Sequence, residues 1–502
     1  MPPLPGEWIF DWRVKEKPTN SERILGIRGA GPTGYSHLLY TGGQSRTVEA
    51  SAAKLIPPHM LMQRAGLAVA QFAMAIAPHA KVIWIPCGPG NNGGDGYEAA
   101  THLKSWGKSP VVTCMDGWDH APIDAKTARQ SAIDAGVEFA DVVPRQYDLC
   151  IDALFGIGRL RPWDHLCTAW IQQMNTDPAP VLAVDLPSGL DVDTGATPEL
   201  HVKANYTLSL LTLKPGLFTA DGREASGDIW FNNLGVDTHA HACARLTSRP
   251  PYLRRAHNTH KGRYGDVCVV GGMSGMTGAA LLAARAALRG GAGRVYVSML
   301  DAETLGLDRN QPELMFRGLP EMNLASMTVV AGCGGGDAVY ACMPQLLEQS
   351  ARLVLDADAL NVIAKDTGLQ HALQARRAHT TVLTPHPLEA ARLMKTSTAA
   401  VQANRLGFAQ AMADRFACVV VLKGSGTVIA APGVLPQINP TGNGRLATAG
   451  TGDVLAGLIG ARLTADTDAF LSACESVFQH GQVADEWNSA TTMTARDLAQ
   501  AL

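Results

Sequence analysis

Short apolar runs of β-forming residues alternate with helical stretches along most of the chain, and this alternation restricts the fold more than any other feature. In the N-terminal half the predicted strands are 81–86, 109–115, 147–154 and 181–186. Helices are predicted at 97–106 and 125–135. Such an alternation is typical of a parallel sheet covered by helices on both faces. We therefore predict an α/β fold of three layers, αβα.

The same pattern starts again near residue 250, which indicates a second domain of the same class. Its predicted strands are 265–270, 294–298, 328–331 and 353–356, and its predicted helices are 277–288, 449–463 and a segment near 467–487. A chain of 502 residues is also too long for one ordinary core. We predict domains at 41–240 and 250–502, an aperiodic linker at 237–256 and a poorly ordered extension at 1–40.

Composition excludes several classes of protein. The formal net charge of -3 gives no basic footprint, so we expect no nucleic-acid partner. No apolar run approaches the ~20 residues that span a bilayer, and we expect neither a membrane segment nor a signal peptide. The ten cysteines form no C-x-x-C pair and several lie in apolar runs, which predicts reduced core thiols of a cytoplasmic protein.

A glycine-rich loop follows the first strand. Residues 88–96 read G-P-G-N-N-G-G-D-G, directly before a predicted helix. Glycines let the backbone approach a ligand closely, and the amides at a helix start favour an anion. The alternative is a tight strand–helix turn without a ligand. The crowding of glycine, asparagine and aspartate favours a binding loop, although no G-K-[ST] follows as in a Walker A motif.

Two further segments place carboxylates at strand ends. Asp152 begins D-A-L-F-G-I-G, and Asp185 begins D-L-P-S-G-L-D, which contains Ser188. Ligands of open α/β sheets bind outside the carboxyl ends of the strands. Together with the asparagines of the loop, Asp152 and Ser188 are candidates for holding a hard cation through oxygen atoms. Each aspartate alone could instead be a helix N-cap.

These three motifs, with L-K-P-G-L-F at 213–218, resemble the NAD(P)H-hydrate epimerase family over about residues 40–236. The resemblance implies a Rossmann-like domain, with a potassium ion held by Asn92, Asp152 and Ser188. It implies a catalytic role for Asp185. The implied substrate contacts are Asn91, Asn92, Gly93, Gly94, Asp95, Gly156, Ile157, Gly158, Arg159, Leu160, Arg161, Pro162 and Asp185. Ile157 departs from the threonine that is frequent in the family.

The turn Gly450-Thr451-Gly452-Asp453 opens the helix predicted at 449–463. Its glycines free nearby amides to point at one oxyanion, and the helix adds its positive end. Asp453 then lies within reach of a hydroxyl that accepts a phosphoryl group, where one carboxylate orients or deprotonates the nucleophile. The alternative is a first-turn acid that only favours the helix dipole.

Lysine and histidine add further candidates in this half. Lys423 ends a strand before a glycine pair and can meet a phosphate as a point charge, or it can be a surface lysine. His386 lies between two prolines and can contact a substrate or serve the structure. His257 and His260 lack an evident third ligand, so we predict no metal site there.

The C-terminal half resembles the ribokinase-like ADP-dependent NAD(P)H-hydrate dehydratase family over about 250–502. The matching phrases are H-K-G, G-M-T-G-A-A, Q-P-E-L-M, L-D-A-D-A-L-N, T-P-H-P, L-K-G-S-G-T and A-G-T-G-D. The resemblance implies substrate contacts at Ala279, Gly334, His386 and Asp453, and ADP contacts at Lys423, Gly424, Ser425, Gly426, Thr427 and Gly452. One departure is G-C-G-G-G at 332–336, where the family prefers G-P-G-x-G.

Both resemblances in one chain imply a bifunctional repair enzyme for hydrated nicotinamide cofactors. They imply epimerisation of the R and S hydrates, then dehydration of the S form at the expense of ADP, with Asp453 and Asp185 catalytic. The implied cofactors are K⁺ in the first domain and Mg²⁺ in the second. We also expect a homo-oligomer. Two alternatives stay open: a vitamin-alcohol kinase in the C-terminal half, and an N-terminal module that binds a nucleotide without turnover.

Overall fold

A computed structural model of the chain describes residues 24–27, 37–117, 120–158, 163–238, 241–251, 256–301, 306–464, 468–488 and 490–502. The described residues contain two sheets, one of eight strands and one of eleven. Within these ranges, no helix combines the length and the apolar character needed to cross a lipid bilayer. All ten cysteines are free thiols, as the sequence predicts.

The first sheet is parallel except for its edge strand β1, which runs antiparallel to β9. In spatial order its strands are β1 (Leu25–Gly26), β9 (Asp228–Asn232), β8 (Tyr206–Leu210), β7 (Val181–Val184), β6 (Leu149–Asp152), β3 (Val82–Cys87), β4 (Ser109–Cys114) and β5 (Glu138–Phe139). The chain adds strands outward from β3 on one side and from β6 on the other. This reversal is the topological switch point of a Rossmann-type sheet, where ligands bind.

Helices cover both faces of this sheet. They are α1 (Gly42–Ala52), α2 (Met60–Ile76), α3 (Asn91–Ser105), α4 (Ile123–Asp134), α5 (His165–Thr176) and α6 (Gly222–Ala225). Ile83 and Ile85 of β3 pack in one apolar cluster with residues of α2, α3 and α4, whereas Trp84 packs in another with residues of α5. Because neighbouring strand residues point to opposite faces, both faces are buried, which confirms the three-layer prediction.

The second sheet is parallel from β13 through β17, and β18 runs antiparallel to both of its neighbours. In spatial order its strands are β13 (Met315–Phe316), β12 (Arg294–Met299), β11 (Asp266–Gly271), β14 (Thr328–Ala331), β15 (Arg352–Leu355), β16 (Thr381–Leu383), β17 (Val419–Leu422), β18 (Val428–Ala431), β19 (Val434–Ile438), β10 (Ala244–Leu246) and β2 (Leu38–Leu39).

Two groups of helices cover the second sheet. They are α7 (Thr277–Arg289), α8 (Met343–Gln349), α9 (Ala357–Lys365), α10 (Thr367–Gln374), α11 (Pro387–Met394), α12 (Thr398–Ala403), α13 (Arg405–Phe416), α14 (Thr451–Leu463), α15 (Ala469–Asp485) and α16 (Ala495–Ala501). One face packs against α7, α14 and α15, and the other against the helices α8 to α13. The C-terminal half is therefore also an αβα domain.

Three short strands lie outside the domain limits expected from the sequence, and one of them, β1 in the range 1–40, pairs with β9 of the first sheet. β2 belongs to the range 1–40, assigned above to a poorly ordered extension, and β10 belongs to the expected linker. β2 pairs with β10, and β10 pairs with β19 of the second sheet. Two- and three-residue strands are too short to show an alternating pattern, so the sequence does not reveal them. The chain thus contributes to the second sheet both before and after the first domain.

Candidate active sites

The first site lies at the switch point of the first sheet. The turn after β3 approaches the end of β6 closely, because the Gly88 amide donates to the Ala153 carbonyl at 3.0 Å. A Cβ atom at Gly88 would come within 1.9 Å of the Leu154 carbonyl oxygen. Only glycine fits this approach, which brings the start of α3 next to Asp152.

The predicted binding residues Asn91, Asn92, Gly93, Gly94 and Asp95 form the first turns of α3. The sequence prediction of a loop up to residue 96 is therefore wrong, and the helix begins at Asn91. The glycines also have a packing role, since a Cβ at Gly93 would lie 1.9 Å from the Gly88 carbonyl oxygen. The early start places the helix amides at the sheet edge, where they favour an anion.

The three predicted potassium ligands meet at this edge. Asp152 is buried, and its carboxylate accepts from the Ser188 hydroxyl at 2.7 Å and from the Ser188 amide at 2.8 Å. Burial raises the pKa of Asp152 to about 6, although these hydrogen bonds act in the opposite direction. A nearby cation would stabilise such a carboxylate in its charged form.

Asn92 completes the fit to a cation. Its Nδ2 atom is buried and has no hydrogen-bond partner within the described part of the chain. A flip of the amide would turn the carbonyl oxygen to this position, where it could serve as a ligand. Carboxylate, hydroxyl and amide oxygens form the donor set of a hard cation, so the residues present fit the implied K⁺.

The loop after β6 lies against this set. A Cβ atom at Gly156 would lie 3.0 Å from the Asn92 Oδ1 atom. Arg46 donates to the Ile157 carbonyl at 2.5 Å and fixes the following turn, while Gly158 has open space around it. The remaining predicted contacts of this loop, Arg159, Leu160, Arg161 and Pro162, lie outside the described residues.

Asp185 lies one strand further along the edge and is paired with a buried lysine. Lys214 donates to the Asp185 carboxylate and also to the Leu210 carbonyl, at 2.8 Å. The Leu210 amide donates back to Asp185 Oδ1 at 3.0 Å. The backbone of Asp185 has φ = 66°, a left-handed conformation that is uncommon outside glycine and occurs at functional sites. The structure therefore fixes this carboxylate in place.

The second site lies where β14, β15 and β17 end. The Cys333 sulfur and carboxylate oxygens of Asp356 and Asp453 lie within 4.8 Å of one another. Asp453 is in the first turn of α14, behind Gly450, whose φ of 92° is left-handed. The corner predicted from the sequence thus faces the strand ends with the positive end of a helix.

Asp453 has an unusual environment for a helix-terminal acid. Burial raises its pKa to about 6, and the negative charge of Asp356 acts in the same direction, while a hydrogen bond from the Cys333 thiol opposes them. A carboxyl with a pKa near the working pH is suited to take up and release a proton. These features favour the catalytic interpretation over the helix-dipole alternative.

Lys423 joins the nucleotide loop, which is the segment 423–427 with the predicted ADP contacts, to this corner. Its Nζ atom lies 2.6 Å from Asp356 Oδ1 and would lie 3.3 Å from a Cβ atom at Gly452. Burial lowers the pKa of Lys423, but the charges of Asp356 and Glu389 outweigh it, so that its pKa is raised. A charged lysine beside a helix N-terminus is a second element that attracts phosphate, and the surface-lysine alternative does not describe it.

Ser425 of the nucleotide loop is hydrogen-bonded to the first domain. The Ser425 hydroxyl donates to the Ala220 carbonyl at 2.7 Å, and the Ala220 amide donates to the Ser425 carbonyl at 3.1 Å. The loop carbonyls of Lys423 and Gly426 accept from the buried guanidinium of Arg405. Gly424 and Thr427 close the loop through a 3.2 Å hydrogen bond between the threonine hydroxyl and the glycine carbonyl.

The predicted substrate contacts of the second domain are only partly brought together. Ala279 and Gly334 are neighbours, since a Cβ at Gly334 would lie 3.0 Å from the Ala279 Cβ. His386 instead caps α11, where its Nδ1 accepts from the Leu388 amide at 3.1 Å. Nearly half of the His386 side chain is exposed, at 46 %.

A cavity of about 370 Å³ opens beside Gly334. Its lining residues are Met273, Gly336, Asp337, Asp358, Asn361, Val362, Lys365 and Arg392. Its polar lining is internally connected, since Arg392 donates to Asn361 at 2.6 Å and the Gly336 amide donates to Asp358 at 2.8 Å. This space is large enough for part of an extended ligand.

The sequence analysis gave no role to four residues that shape these sites, namely Lys214, Asp356, Arg405 and His480. Lys214 and Asp356 lie within motifs that carry the resemblance, but a motif does not show which charges it pairs. His480 is buried in α15 and hydrogen-bonds the Thr451 carbonyl at 2.9 Å. No local pattern marks Arg405 or His480, because both act on segments distant in sequence.

Both halves of the chain are similar to known protein families. A family model described as NAD(P)H-hydrate dehydratase matches residues 267–502, and one described as the N-terminus of YjeF-related proteins matches residues 58–216. A solved structure of the ADP/ATP-dependent NAD(P)H-hydrate dehydratase from Bacillus subtilis is 30% identical, with a TM-score of 0.41. That similarity covers 49% of this chain and 91% of the solved one.

Curated relatives match over nearly the whole length. The bifunctional NAD(P)H-hydrate repair enzyme of Escherichia coli is 35% identical over 476 residues, which is 90% of this chain and 90% of the relative. The enzyme of the same description from Leishmania infantum is 32% identical over 489 residues, covering 87% and 86%. Matches of this extent span both αβα domains and both candidate sites. The chain therefore belongs to the family of bifunctional NAD(P)H-hydrate repair enzymes.

Proposed function

We propose that the chain repairs hydrated NADH and NADPH in two steps. The N-terminal domain interconverts the R and S hydrates, and the C-terminal domain dehydrates the S hydrate with consumption of ADP, yielding AMP and phosphate. The observation that carries the second step is the corner formed by Asp453 and Lys423 at the start of α14.

In the first domain, Asp185 takes the proton of the ring hydroxyl while the bond between the ring nitrogen and the hydrated carbon breaks, and it returns the proton when that bond reforms on the other face. Its ion pair with buried Lys214 and the hydrogen bond from the Leu210 amide keep the carboxylate in one orientation. Orientation of a reacting group lowers the barrier because the entropy of positioning has already been lost. The amides at the start of α3 and the loop containing Gly156, Ile157 and Gly158 bind the phosphates and the ring.

Asn92, Asp152 and Ser188 would hold K⁺ in this domain. When bound, the ion would supply positive charge that balances the buried Asp152 carboxylate. The chain's own contribution is the turn at Gly88, which brings α3 to the end of β6, and the Ser188 hydrogen bonds that orient Asp152.

In the second domain, Asp453 takes the proton from the ring hydroxyl of the S hydrate. The hydroxyl oxygen then forms a bond to the β-phosphorus of ADP, and the bond from that phosphorus to the bridging oxygen breaks, which releases AMP. The ring nitrogen lone pair expels the phosphate, and loss of a proton from the adjacent carbon restores NADH or NADPH. Positioning and charge stabilisation dominate such phosphoryl transfers.

Lys423 and the start of α14 bind the transferred phosphate. The cluster of Cys333, Asp356 and Asp453 is not a resident Mg²⁺ site, since a thiol does not suit Mg²⁺ and Asp356 already holds Lys423. We infer that Mg²⁺ would instead be held by the phosphates of ADP, where it would screen their charge. Ala279, Gly334 and His386 contact the ring end of the substrate, and the cavity beside Gly334 receives the rest of the dinucleotide.

The test uses purified R and S hydrates of NADH with ADP and follows the near-ultraviolet absorbance of NADH. Wild-type protein regains the absorbance from both hydrates. Asp453→Ala should abolish recovery, whereas Asp185→Ala should leave the S hydrate reactive and strand the R hydrate. Full activity of Asp453→Ala would contradict its role as base. Consumption of R by Asp185→Ala faster than spontaneous epimerisation would contradict the first assignment.

The same assay separates the two alternatives. A small-molecule kinase would yield a stable phosphorylated product from ATP, without recovery of NADH from the S hydrate. A binding module without turnover would leave the R hydrate unchanged in the wild-type protein. The fixed Asp185–Lys214 pair and the left-handed backbone at Asp185 support a catalytic role rather than binding alone.

We further infer a cytoplasmic homo-oligomer. Ten free thiols suit a reducing compartment. Exposed apolar side chains of the first domain, including Leu55 at 86% and Ile123 at 76% exposure, are suited to contact another subunit. Light scattering after size-exclusion chromatography measures the mass, and a mass of 53.1 kDa would contradict the oligomer.

A further inference from the structure

We propose that Thr219 of the N-terminal domain is a positioning residue of the ADP site in the C-terminal domain, acting through Arg405. The inference rests on the proposed function of the nucleotide loop. It assigns to the first domain a part in the dehydratase site, in addition to its own epimerase site.

Arg405 is the central element of this arrangement. It starts α13 and is 1% exposed. One terminal nitrogen of its guanidinium, Nη2, donates to the carbonyls of Leu422 and Lys423 at 3.1 Å each and to the Gly426 carbonyl at 3.4 Å. These acceptors lie at both ends of the nucleotide loop. Arg405 therefore ties the loop into one shape through several charge-assisted hydrogen bonds.

The shape of the loop depends on the guanidinium. Gly424 has φ = 133°, and a Cβ atom there would lie 2.9 Å from Arg405 Nη1. Nη1 also donates to Gln402 Oε1 at 2.6 Å. Burial lowers the pKa of Arg405 to about 10, which still leaves the group charged at neutral pH. A buried charge of this kind must find acceptors for its donors.

Thr219 supplies the acceptor for the Nε donor. The Arg405 Nε atom donates to the Thr219 hydroxyl at 3.1 Å, across the boundary between the two domains. Thr219 is 2% exposed, so water does not readily replace its hydroxyl. The same segment approaches the loop backbone, because a Cβ atom at Gly426 would lie 1.9 Å from the Phe218 carbonyl oxygen. Thr219 thus completes the hydrogen bonds of the group that shapes the ADP loop.

Loss of the Thr219 hydroxyl leaves a buried, charged donor without its acceptor, and the loop then departs from the shape that binds ADP. A hydrogen bond to a charged group contributes about 1.5 kcal/mol or more, and about 1.4 kcal/mol equals a tenfold change in affinity. We expect Thr219→Val to raise the Kd and the KM for ADP about tenfold. The kcat should stay within about twofold, because Asp453 is untouched.

The experiment compares full-length variants by calorimetric titration with ADP and by dehydration of the S hydrate. Thr219→Ser keeps the hydroxyl and should restore wild-type affinity. Thr207→Val is the matched control, since it also removes a buried threonine hydroxyl of the first domain, whose partner is the Ser226 carbonyl at 2.7 Å. If Thr219→Val does not fold, Arg405→Lys is tested instead, because it keeps the positive charge but loses the planar guanidinium with its several donors. We expect this variant to raise the Kd and the KM for ADP about tenfold as well.

Equal ADP affinity of Thr219→Val and wild type would overturn the inference, as would an equal loss in Thr207→Val. Titration also separates this inference from the proposed function. If the wild type binds ADP but does not dehydrate the S hydrate, the proposed function fails while the role of Thr219 is still measured by the Kd. If the wild type does not bind ADP, both fail.

Discussion

Replacement of Asp453 by asparagine should stabilise the protein while it destroys dehydratase activity. Burial raises the pKa of Asp453 from its ordinary value of 3.8 to about 6. A carboxyl whose pKa is higher in the folded than in the unfolded state destabilises the folded state once it is ionised. The rise corresponds to about 3 kcal/mol, at about 1.4 kcal/mol for each pKa unit.

The destabilisation of the folded state by ionised Asp453 depends on pH. Below pH 3.8 the carboxyl is protonated in both states and costs nothing; the cost grows between 3.8 and about 6 and is complete above that. Asparagine has the same shape and no charge, so its advantage should be full at pH 8 and nearly absent at pH 4. For a domain of this size, about 3 kcal/mol raises the Tm by about 6 to 12 °C.

Differential scanning calorimetry of wild type and Asp453→Asn at both pH values measures this difference. Dehydration of the S hydrate by the same preparations should fall by about 10² to 10⁴, the usual contribution of a general base. The two readouts together distinguish a catalytic carboxylate from a structural one. A first-turn acid that stabilises the helix dipole contributes about 0.3 to 1 kcal/mol, and its loss lowers the Tm. A lower Tm of the variant at pH 8 would therefore refute the reasoning.

Three further predictions address the supporting residues. Lys214→Met leaves Asp185 without its ion-pair partner and should slow consumption of the R hydrate at least about tenfold, with dehydration of the S hydrate unchanged; slowing of both steps in parallel would contradict it. Wild-type epimerase activity should fall when K⁺ is replaced by choline, and Asp152→Asn should be slow and no longer respond to K⁺, whereas a retained response would exclude Asp152 as a ligand. Burial lowers the pKa of His480 to about 4, so the residue is neutral between pH 5 and 8. His480→Leu should accordingly raise the KM for ADP by a similar factor across that range, because it removes the hydrogen bond to the Thr451 carbonyl; a KM effect confined to one end of the range would contradict a neutral histidine.

The parallel strands are the part of the fold that the sequence predicts best. Strand β14 lies at Thr328–Ala331, as predicted, and β3 and β11 differ from prediction by about one residue at each end. Strands buried on both faces are nearly continuous apolar runs, which stand out from their surroundings. The antiparallel pair β18 and β19 is absent from the prediction, although Pro432-Gly433 between two apolar runs is a hairpin signal.

The start of α3 differs from the prediction for a different reason. Asparagine and glycine are poor helix formers, so N-N-G-G-D-G predicts a loop. Tertiary packing overrides this preference, because the glycines let α3 approach both the turn at Gly88 and the helix α2 beneath it. A Cβ at Gly94 would lie 2.5 Å from the Met62 side chain. The helix forms here although its intrinsic helix propensity is low. Its neighbours pack so closely that only glycine fits at these positions.

The charged residues of the second site meet because of the order of strands in the sheet, and not because of their spacing in the sequence. Asp356 and Lys423 are 67 positions apart, yet they meet because β15 and β17 flank β16 and all three strands end at the same edge. Motifs that follow parallel strands can therefore be assigned to one edge from the sequence. The pairing of a particular lysine with a particular carboxylate depends on the order of strands in the sheet. No local sequence pattern predicts that order.

The glycines of the nucleotide loop meet two separate requirements, close approach of a phosphate and close approach of the first domain. Glycines in L-K-G-S-G-T predict a loop whose amides approach a phosphate. In the structure, Gly426 is also required by the contact with the Phe218 carbonyl, and the Ser425 hydroxyl is used by Ala220 of the other domain. The same backbone shape that exposes amides on one side permits close approach of the first domain on the other. Glycine at 426 is therefore required by the contact with the first domain as well as by the proposed nucleotide site, and the buried guanidinium of Arg405 contacts both the loop and Thr219.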